Sequence, residues 1–394
     1  MTAPYRTVYC LLGLPFDALT LDAALARLLV PISQCVPSGT AGGAGVQRRD
    51  QPDASDEQRG ALVLSTPNVN WVVLAREHPA FRESVLASAL TVADGQPLVW
   101  IARLLGVPLP ERVSGADLFL GLRGAAHPVR VFFLGGMGHV ARRASAALNQ
   151  ARETAGDGAL IGVGGLDPGS GSIASMSRPE ILHTVNEGQP DLVVVSLGAL
   201  RGQAWLMQNR KALTTARWVT HLGAVVNFAA GEVRRAPRWM QRSGTEWAWR
   251  IVQEPKLWQR YVGDGISLFG LLLARTLPLL FWRALYARQS LPAESAPLDD
   301  GGGLRMRGAW VTEDHARQFH DAVRQTLAGQ SVDIAGQPFR LDVAEVSNLG
   351  AAVIGQWMVL RGSLALQRRK LVLVSPSLAV RRLLRAEVAD YLLD

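Results

Sequence analysis

The chain has 394 residues, with 41 Lys and Arg against 33 Asp and Glu, a formal net charge of +8 and a hydrophobic fraction of 48%. That length and apolar content can bury a substantial core, suggest two domains and exclude wholesale disorder, while the basic balance suits phosphates, acidic lipid headgroups or nucleic acid. Two cysteines, Cys10 and Cys35, are too few for a disulfide framework and lack metal-ligand spacing, which suits a reducing cytoplasm.

The opening MTAPYRTVYCLLGLPFDALT carries an apolar patch, but Asp17 and a following helical pattern stand where a small-residue cleavage site would be, so no signal peptide is expected. Residues 36–59 are rich in Gly, Ala, Ser, Asp and Gln without hydrophobic period, and read as a disordered insertion. From Ala61 the texture changes to short apolar runs separated by helical patterns: ALVLSTPN, ALTVADG, VRVFFLGG, LVVVSLG and WVTHLGAVVN. Such runs predict an α/β fold with a mostly parallel, Rossmann-like sheet covered on both faces.

In that architecture ligands sit beyond the carboxyl ends of the strands. The residues there are Thr66, Asn68, Asp94, Gly95, the turn Gly135, Gly136 to Gly138, Gly198 and Asn227. The GGMG turn fits either a phosphate cradle or a plain tight turn. Asp94, a carboxylate before Gly at a strand end, can accept a proton from a sugar hydroxyl in a cleft, or it caps a helix or turn.

The stretch GEVRRAPRWMQRSGTEWAWRIVQEP at 231–255 crowds arginines, among them Arg234, Arg235 and Arg250, with Trp239, Trp247 and Trp249. Guanidinium forks bind phosphate oxygens and indoles supply apolar area, so diphosphate recognition fits; a basic amphipathic surface helix with structural tryptophans is the plainer reading. Pro237 suits the first turn of a helix, and Glu246 and Arg250 are spaced to pair along the next one.

Residues 263–288 follow, with ISLFGLLLARTLPLLFWRALYAR at 266–288 broken by Arg275 and Pro278. That interruption argues against a spanning helix and for an interfacial helix on anionic lipid, or one packed on the domain or a second subunit. QSLPAESAPLDDGGG at 289–303 has linker composition. Beyond it, 304–394 alternate strand and helix three times, from LRMRGAWVT to LAVRRLLRAEVADYLL. His315 and His320 lack a third ligand, so no metal site is expected there.

Several of these stretches come in one order: TPNVN (66–70), ADG (93–95), RVSGADL (112–118), VFFLGG (131–136), LGALRGQAW (197–205), RRAPRWM (234–240) and EWAWRIVQEP (246–255). In that order they resemble the WecG/TagA/CpsF glycosyltransferases across residues 8–262, so that 1–262 form a glycosyltransferase domain ending in a helical appendage. The resemblance implies inverting transfer from a UDP-sugar to a polyprenyl-diphosphate-linked saccharide in bacterial surface-polysaccharide synthesis. It makes Asp94 the base, with Thr66 and Asn68 beside it. Arg250 and Arg260 match appendage arginines that close over the site and neutralise the leaving diphosphate. Gly95, Arg112, Gly135, Gly136, Gly198, Arg201, Gln203, Arg234 and Arg235 fall in matching segments and, with Asn227, are expected to contact substrate.

The chain departs from the family pattern in three places. Gly202 and Gln203 stand where Gln and Glu are usual, Asn227 replaces an aspartate, and Leu257 replaces a second appendage arginine. No Asp-x-Asp pair is apparent, so cationic side chains are expected to replace a metal and no cofactor is expected. Residues 304–394 resemble a STAS domain through LDVAEVSNLGAAVIG (341–355), with Ala352 at the family's phosphorylatable serine and Gly350 at the preceding aspartate. This implies docking or nucleotide sensing without a phosphoswitch. Expected partners are the two substrates, the cytoplasmic face of the bacterial inner membrane as a peripheral surface, a protein at the STAS-like domain and a second copy of the chain. The altered LRGQ segment and Asn227 also fit a catalytically weakened scaffold. Nucleic acid is not expected, since no reading motif accompanies the charge.

Overall fold

The computed structural model describes residues 5–29, 60–155, 158–286, 291–330 and 336–394. Cys35 and the insertion expected at 36–59 lie outside the described residues. Strands run in chain order as β1 Val8–Leu11, β2 Leu14–Asp17, β3 Leu62–Ser65, β4 Leu90–Thr91, β5 Val129–Gly135, β6 Leu160–Leu166, β7 Leu192–Ser196, β8 Trp218–His221, β9 Glu294–Pro297, β10 Gly303–Trp310, β11 Phe339–Leu349 and β12 Leu371–Val374. The fold is α/β, with a mostly parallel sheet, flanking helices and a helical region after residue 236. Two compact units interleave along the chain: one joins Met1–Ala18, Pro67–Arg112 and Ala236–Asp394, the other Leu19–Thr66 and Val113–Arg235.

In the second unit the strands pair in the order β3-β8-β7-β5-β6, all parallel. Val193, Val194 and Val195 are fully buried, as continuous apolar runs must be in a sheet covered on both faces. Trp205, on the helix Ala199–Asn209, is fully buried and its indole N–H donates to the Met176 carbonyl at 2.8 Å. Burying an indole of this kind contributes up to about 5 kcal/mol, provided its N–H is satisfied. The run WVTHLGAVVN does not continue as one strand: β8 stops at His221 and the helix Gly223–Ala229 begins two residues later. β6, whose LIGVGGL is too glycine-rich to read as an apolar run, completes the edge of the sheet.

In the first unit β1 and β2 form a hairpin about Leu12-Gly13, both at positive φ (51° and 82°), the geometry a two-residue hairpin loop demands. Asp17 closes it: its carboxylate takes Arg6 in a bidentate pair at 2.6 and 3.0 Å and accepts the Thr91 N–H at 2.8 Å. The C-terminal part of this unit is a four-stranded sheet in the order β12-β11-β10-β9, covered by the helices Glu313–Ala328, Ala351–Leu366 and Leu378–Ala386. β9 lies inside the stretch expected to be a linker, where it pairs antiparallel with β10.

Residues 257–286 form one continuous helical run, Leu257–Leu271, a π-turn at Leu272–Thr276 and Leu277–Tyr286. Pro278 therefore does not break it. A proline clashes with the carbonyl four residues earlier, here Ala274, and the widened turn, in which the Leu277 N–H reaches Leu272, relieves that clash. Leu257–Arg283 is long and apolar enough to cross a membrane by length and composition, and only 17% of its most apolar window is buried.

Candidate functional site

Within the second unit, the chain after β5 turns to pack its helix on β6, whereas the chain after β7 turns to the β8 side. This reversal leaves a crevice at the carboxyl ends of β5 and β7, the position at which such sheets bind ligands. Gly135 and Gly136 end β5 there: a Cβ on Gly135 would lie 2.3 Å from the Ser196 carbonyl oxygen, so a side chain is excluded, and the Gly136 N–H donates to that oxygen at 3.1 Å. Gly198 caps the helix Ala199–Asn209 at φ 77°, ψ 154°, a conformation restricted to glycine, with open space where a Cβ would stand. The first-turn N–H groups of that helix lack helical partners by construction and suit an anion. Arg201, on the same turn, is exposed.

Asn227 lies half-buried on the helix Gly223–Ala229, beside Val226, which packs against Gly136. Ser196 fixes the start of this helix through a 3.0 Å hydrogen bond to the Gly223 carbonyl. Thr66 is buried just past β3, near Gly115 of the RVSGADL segment. Gln203 and Arg235, both expected to touch substrate, are engaged inside the protein. The Gln203 amide is fully buried and donates to Ser65 at 2.8 Å, and Arg235 pairs with Asp117 at 2.5 Å. Arg234 is exposed.

Sequence reasoning passed over His221, the last residue of β8. A Cβ on Gly202 would lie 2.2 Å from the His221 ring, so the imidazole fills the volume vacated where the family pattern places glutamine. Burial pushes its pKa down to about 4, so the ring is neutral near pH 7. The rule that chemistry follows strand ends would have found it, had the run not been read on past His221.

Within the first unit, the TPNVN and ADG segments meet. The Asp94 N–H donates to the Pro67 carbonyl at 2.9 Å, and Gly95 approaches Asn68, where a Cβ would lie 3.7 Å from the Asn68 Cβ. Asn68 caps the helix Val69–Glu77, its side-chain oxygen accepting the Trp71 N–H at 3.3 Å. Asp94 itself is half-buried, immediately before the helix Gln96–Leu104. Gly244, which ends the helix Arg238–Ser243, packs on Gln96 so closely that a Cβ would meet it at 2.6 Å. The part of the arginine- and tryptophan-rich stretch from Ala236 onward is thereby set beside the ADG turn.

Arg250 is half-buried on the next helix, Glu246–Gln253, and Arg112 reaches Glu246 of that helix at 3.3 Å. Arg260 is exposed on the long helix, over the Tyr261 ring at 5.1 Å, and its charge acts on Asp264. Among the described residues no three His, Cys, Asp or Glu side chains gather as a metal-ligand set. A cavity of about 530 Å³ in this unit, lined by Tyr9, Arg283, His315, Asn348 and the start of the helix Ala351–Leu366, includes none of the candidate residues.

Residues 49–280 match the model of the glycosyl transferase WecG/TagA/CpsF family. The chain belongs to this family. The N-acetylglucosaminyldiphosphoundecaprenol N-acetyl-beta-D-mannosaminyltransferase of Bacillus spizizenii is 30% identical over 209 residues, 52% of this chain and 76% of the relative. Its counterparts are 26% identical over 206 residues in Bacillus subtilis and 24% over 208 in Staphylococcus aureus, with the same shares covered. The chain is accordingly a glycosyltransferase. The family match takes in most of the apolar helix and leaves residues 304–394 outside it.

Proposed function

We propose that this glycosyltransferase moves a sugar from a UDP-sugar to a polyprenyl-diphosphate-linked saccharide, with inversion, during synthesis of a bacterial surface polysaccharide. The observation that carries this reading is the meeting of Pro67, Asn68, Asp94 and Gly95 in a member of a family whose relatives are named for such acceptors. Asp94 takes the proton of the acceptor hydroxyl as its oxygen bonds to the anomeric carbon. The bond from that carbon to the diphosphate oxygen breaks, and UDP leaves with the electron pair. Within the first unit Asn68 positions the Asp94 turn, and within the second the glycine-lined ends of β5 and β7 take the donor.

Arg250 and Arg260 stabilise the leaving diphosphate. A unit charge pair about 4 Å apart gains roughly 4 kcal/mol at an effective dielectric of 20, enough for two arginines to serve in place of a divalent ion. The enzyme works as a peripheral protein on the cytoplasmic face of the inner membrane, supported by the exposed apolar side of the helix at 257–286. Residues 304–394 are STAS-like in this reading, supported by their alternating strands and helices and by the LDVAEVSNLGAAVIG segment.

The test incubates purified protein and an Asp94→Ala control with a panel of UDP-sugars and a polyprenyl-diphosphate-sugar acceptor in detergent. Acceptor-dependent UDP release, insensitive to EDTA and lower by about 10³-fold in the control, is the expected result. Donor binding without release by the unaltered protein would overturn the proposal of transfer to this acceptor.

A further inference from the structure

The helical run at 257–286 is held along one flank by the rest of its own unit. Asp264, buried on that flank, accepts the Asn70 amide at 3.1 Å. Farther along, Arg275 donates to the Arg385 carbonyl at 3.0 Å, Arg382 lies 4.5 Å over the Trp282 ring, Arg283 pairs with the buried Glu387, and the Asn348 amide donates to the Tyr286 carbonyl at 3.2 Å. At 1.5 Å per residue, these contacts span about 33 Å from Asp264 to Tyr286, comparable to the hydrocarbon thickness of a bilayer. The opposite flank is exposed and apolar, with Ile266, Phe269, Leu273, Leu277, Phe281 and Leu285 at spacings of three and four residues.

Most of the flanking contacts come from the C-terminal module, which is itself fixed to the N-terminal segments of the same unit. A Cβ on Gly355 would lie 2.5 Å from the Val8 carbonyl oxygen, and one on Gly362 2.1 Å from that of Leu86. Gln356 donates to the Arg6 carbonyl at 2.6 Å and Tyr391 to that of Gly13 at 2.9 Å, while Arg361 pairs with Glu83 at 3.0 Å. Eleven of the sixteen residues of the helix Ala351–Leu366 are buried. The face of the module that follows Ala352 is occupied by its own chain.

We propose that the C-terminal module is a brace acting in cis: its partner is the enzyme's own long helix, which it holds flat so that the apolar stripe lies in the plane of a lipid surface. Spanning would carry Asp264, Arg283 and Glu387 into hydrocarbon or tear the helix from the module, and either is costly. Beside the brace, Asn70, two residues past the Asn68 cap that adjoins Gly95, ties the same helix toward the Asp94 turn, so holding the helix flat also fixes the bearing of the stripe to Asp94.

This inference rests on the lipid-surface reading above, so the experiment separates the two. Full-length Phe269→Asp/Phe281→Asp protein is floated with vesicles of phosphatidylglycerol and phosphatidylethanolamine. At least tenfold loss of flotation with an unchanged melting temperature is expected, and undiminished flotation would overturn the lipid reading itself. For the brace, bimane is attached at Phe269→Cys or Leu285→Cys in a Cys35→Ser background, and quenching by lipid nitroxides at graded depths is measured. Equal shallow depth at both sites is expected; a depth differing by half a bilayer would overturn the in-plane helix.

Arg283→Met and, as an independent disruption, Gly362→Leu are then compared with the parent by amide hydrogen exchange on vesicles. Exchange across 264–286 at least tenfold faster, with the helix Ala199–Asn209 unchanged, is expected of a brace. Unchanged protection of 264–286 in a variant whose module exchanges faster would overturn it while leaving vesicle binding intact.

Discussion

Both units contain parallel strands followed by helices, but individual glycines at the carboxyl ends of those strands stand in different surroundings. Past the end of β7 the turn leaves space: Gly198 has nothing within 4 Å of an added Cβ, and the first-turn N–H groups behind it lack helical partners. In the C-terminal sheet the turn after β11 is tight at Gly350, where a Cβ would lie 2.1 Å from the Val311 carbonyl oxygen and the helix that follows is buried, while the cavity of about 530 Å³ opens beside it. The same residue type thus gives access for a ligand in one place and contact between backbones in the other. Strand-helix alternation establishes architecture in both units, whereas the surroundings of each strand-end glycine decide whether that turn can receive a ligand.

A matched pair of substitutions can break this comparison. Gly362→Leu forces a branched side chain onto the Leu86 carbonyl and should lower unfolding free energy by about 3 kcal/mol or more, with affinity for the proposed donor unchanged in the folded fraction. The Cβ of Gly198→Leu has no atom within 4 Å, but the residue must hold φ 77°, ψ 154°, which L side chains rarely adopt. A stability loss of about 1–3 kcal/mol is expected, together with at least tenfold weaker donor binding. Urea midpoints and donor titrations read the two effects separately; weaker binding in Gly362→Leu or unchanged binding in Gly198→Leu would erase the distinction.

His221 sharpens the open edge through pH. Its folded-state pKa, about 4, lies below the unfolded value of 6.5 because burial disfavours the imidazolium. As pH falls, the unfolded chain binds the proton first, so this group's contribution is complete above about pH 6.5 and lost progressively toward pH 4. The gap corresponds to about 3 kcal/mol. Urea midpoints measured from pH 7.5 to 4 should show this loss in the parent and a flatter profile in His221→Gln.

The contact between Gly202 and His221 should appear as a coupling of somewhat smaller size. Gly202→Ala places a methyl group against the ring and is expected to cost about 2 kcal/mol, recovered in part in the Gly202→Ala/His221→Ala double variant. Additive losses would show that the ring does not fill the vacated volume.

The apolar runs made most of the parallel sheet legible, because strands buried on both faces need continuous Val, Leu and Phe. β6 was not legible, since glycines at 162, 164 and 165 dilute its run while packing against the Ser145 backbone, the Phe132 ring and the Ala141 backbone. The helix starting at Gly223 was hidden by an apolar stretch that suits either state until tertiary contacts decide. At the candidate site, the segments that meet around Asp94 could be ordered by motif. Whether an arginine or glutamine faces substrate or protein could not, because one fork chemistry serves phosphate and carboxylate alike.

Arg112 and Arg235 test that last ambiguity at the smallest scale. Each reaches a carboxylate of its own unit, Glu246 at 3.3 Å and Asp117 at 2.5 Å, with side chains partly shielded from water. If these pairs serve architecture, Arg112→Met should cost about 1 kcal/mol, and Arg235→Met somewhat more because Asp117 also holds Ser114 at 2.6 Å. Donor KM should then move less than twofold in either variant, whereas Arg250→Met, on the helix that Glu246 begins, should lower kcat by at least tenfold. A KM rise in Arg112→Met or Arg235→Met without a stability change would return those guanidiniums to the substrate. Such a result would mean that their carboxylate partners are exchanged for phosphate when the donor arrives.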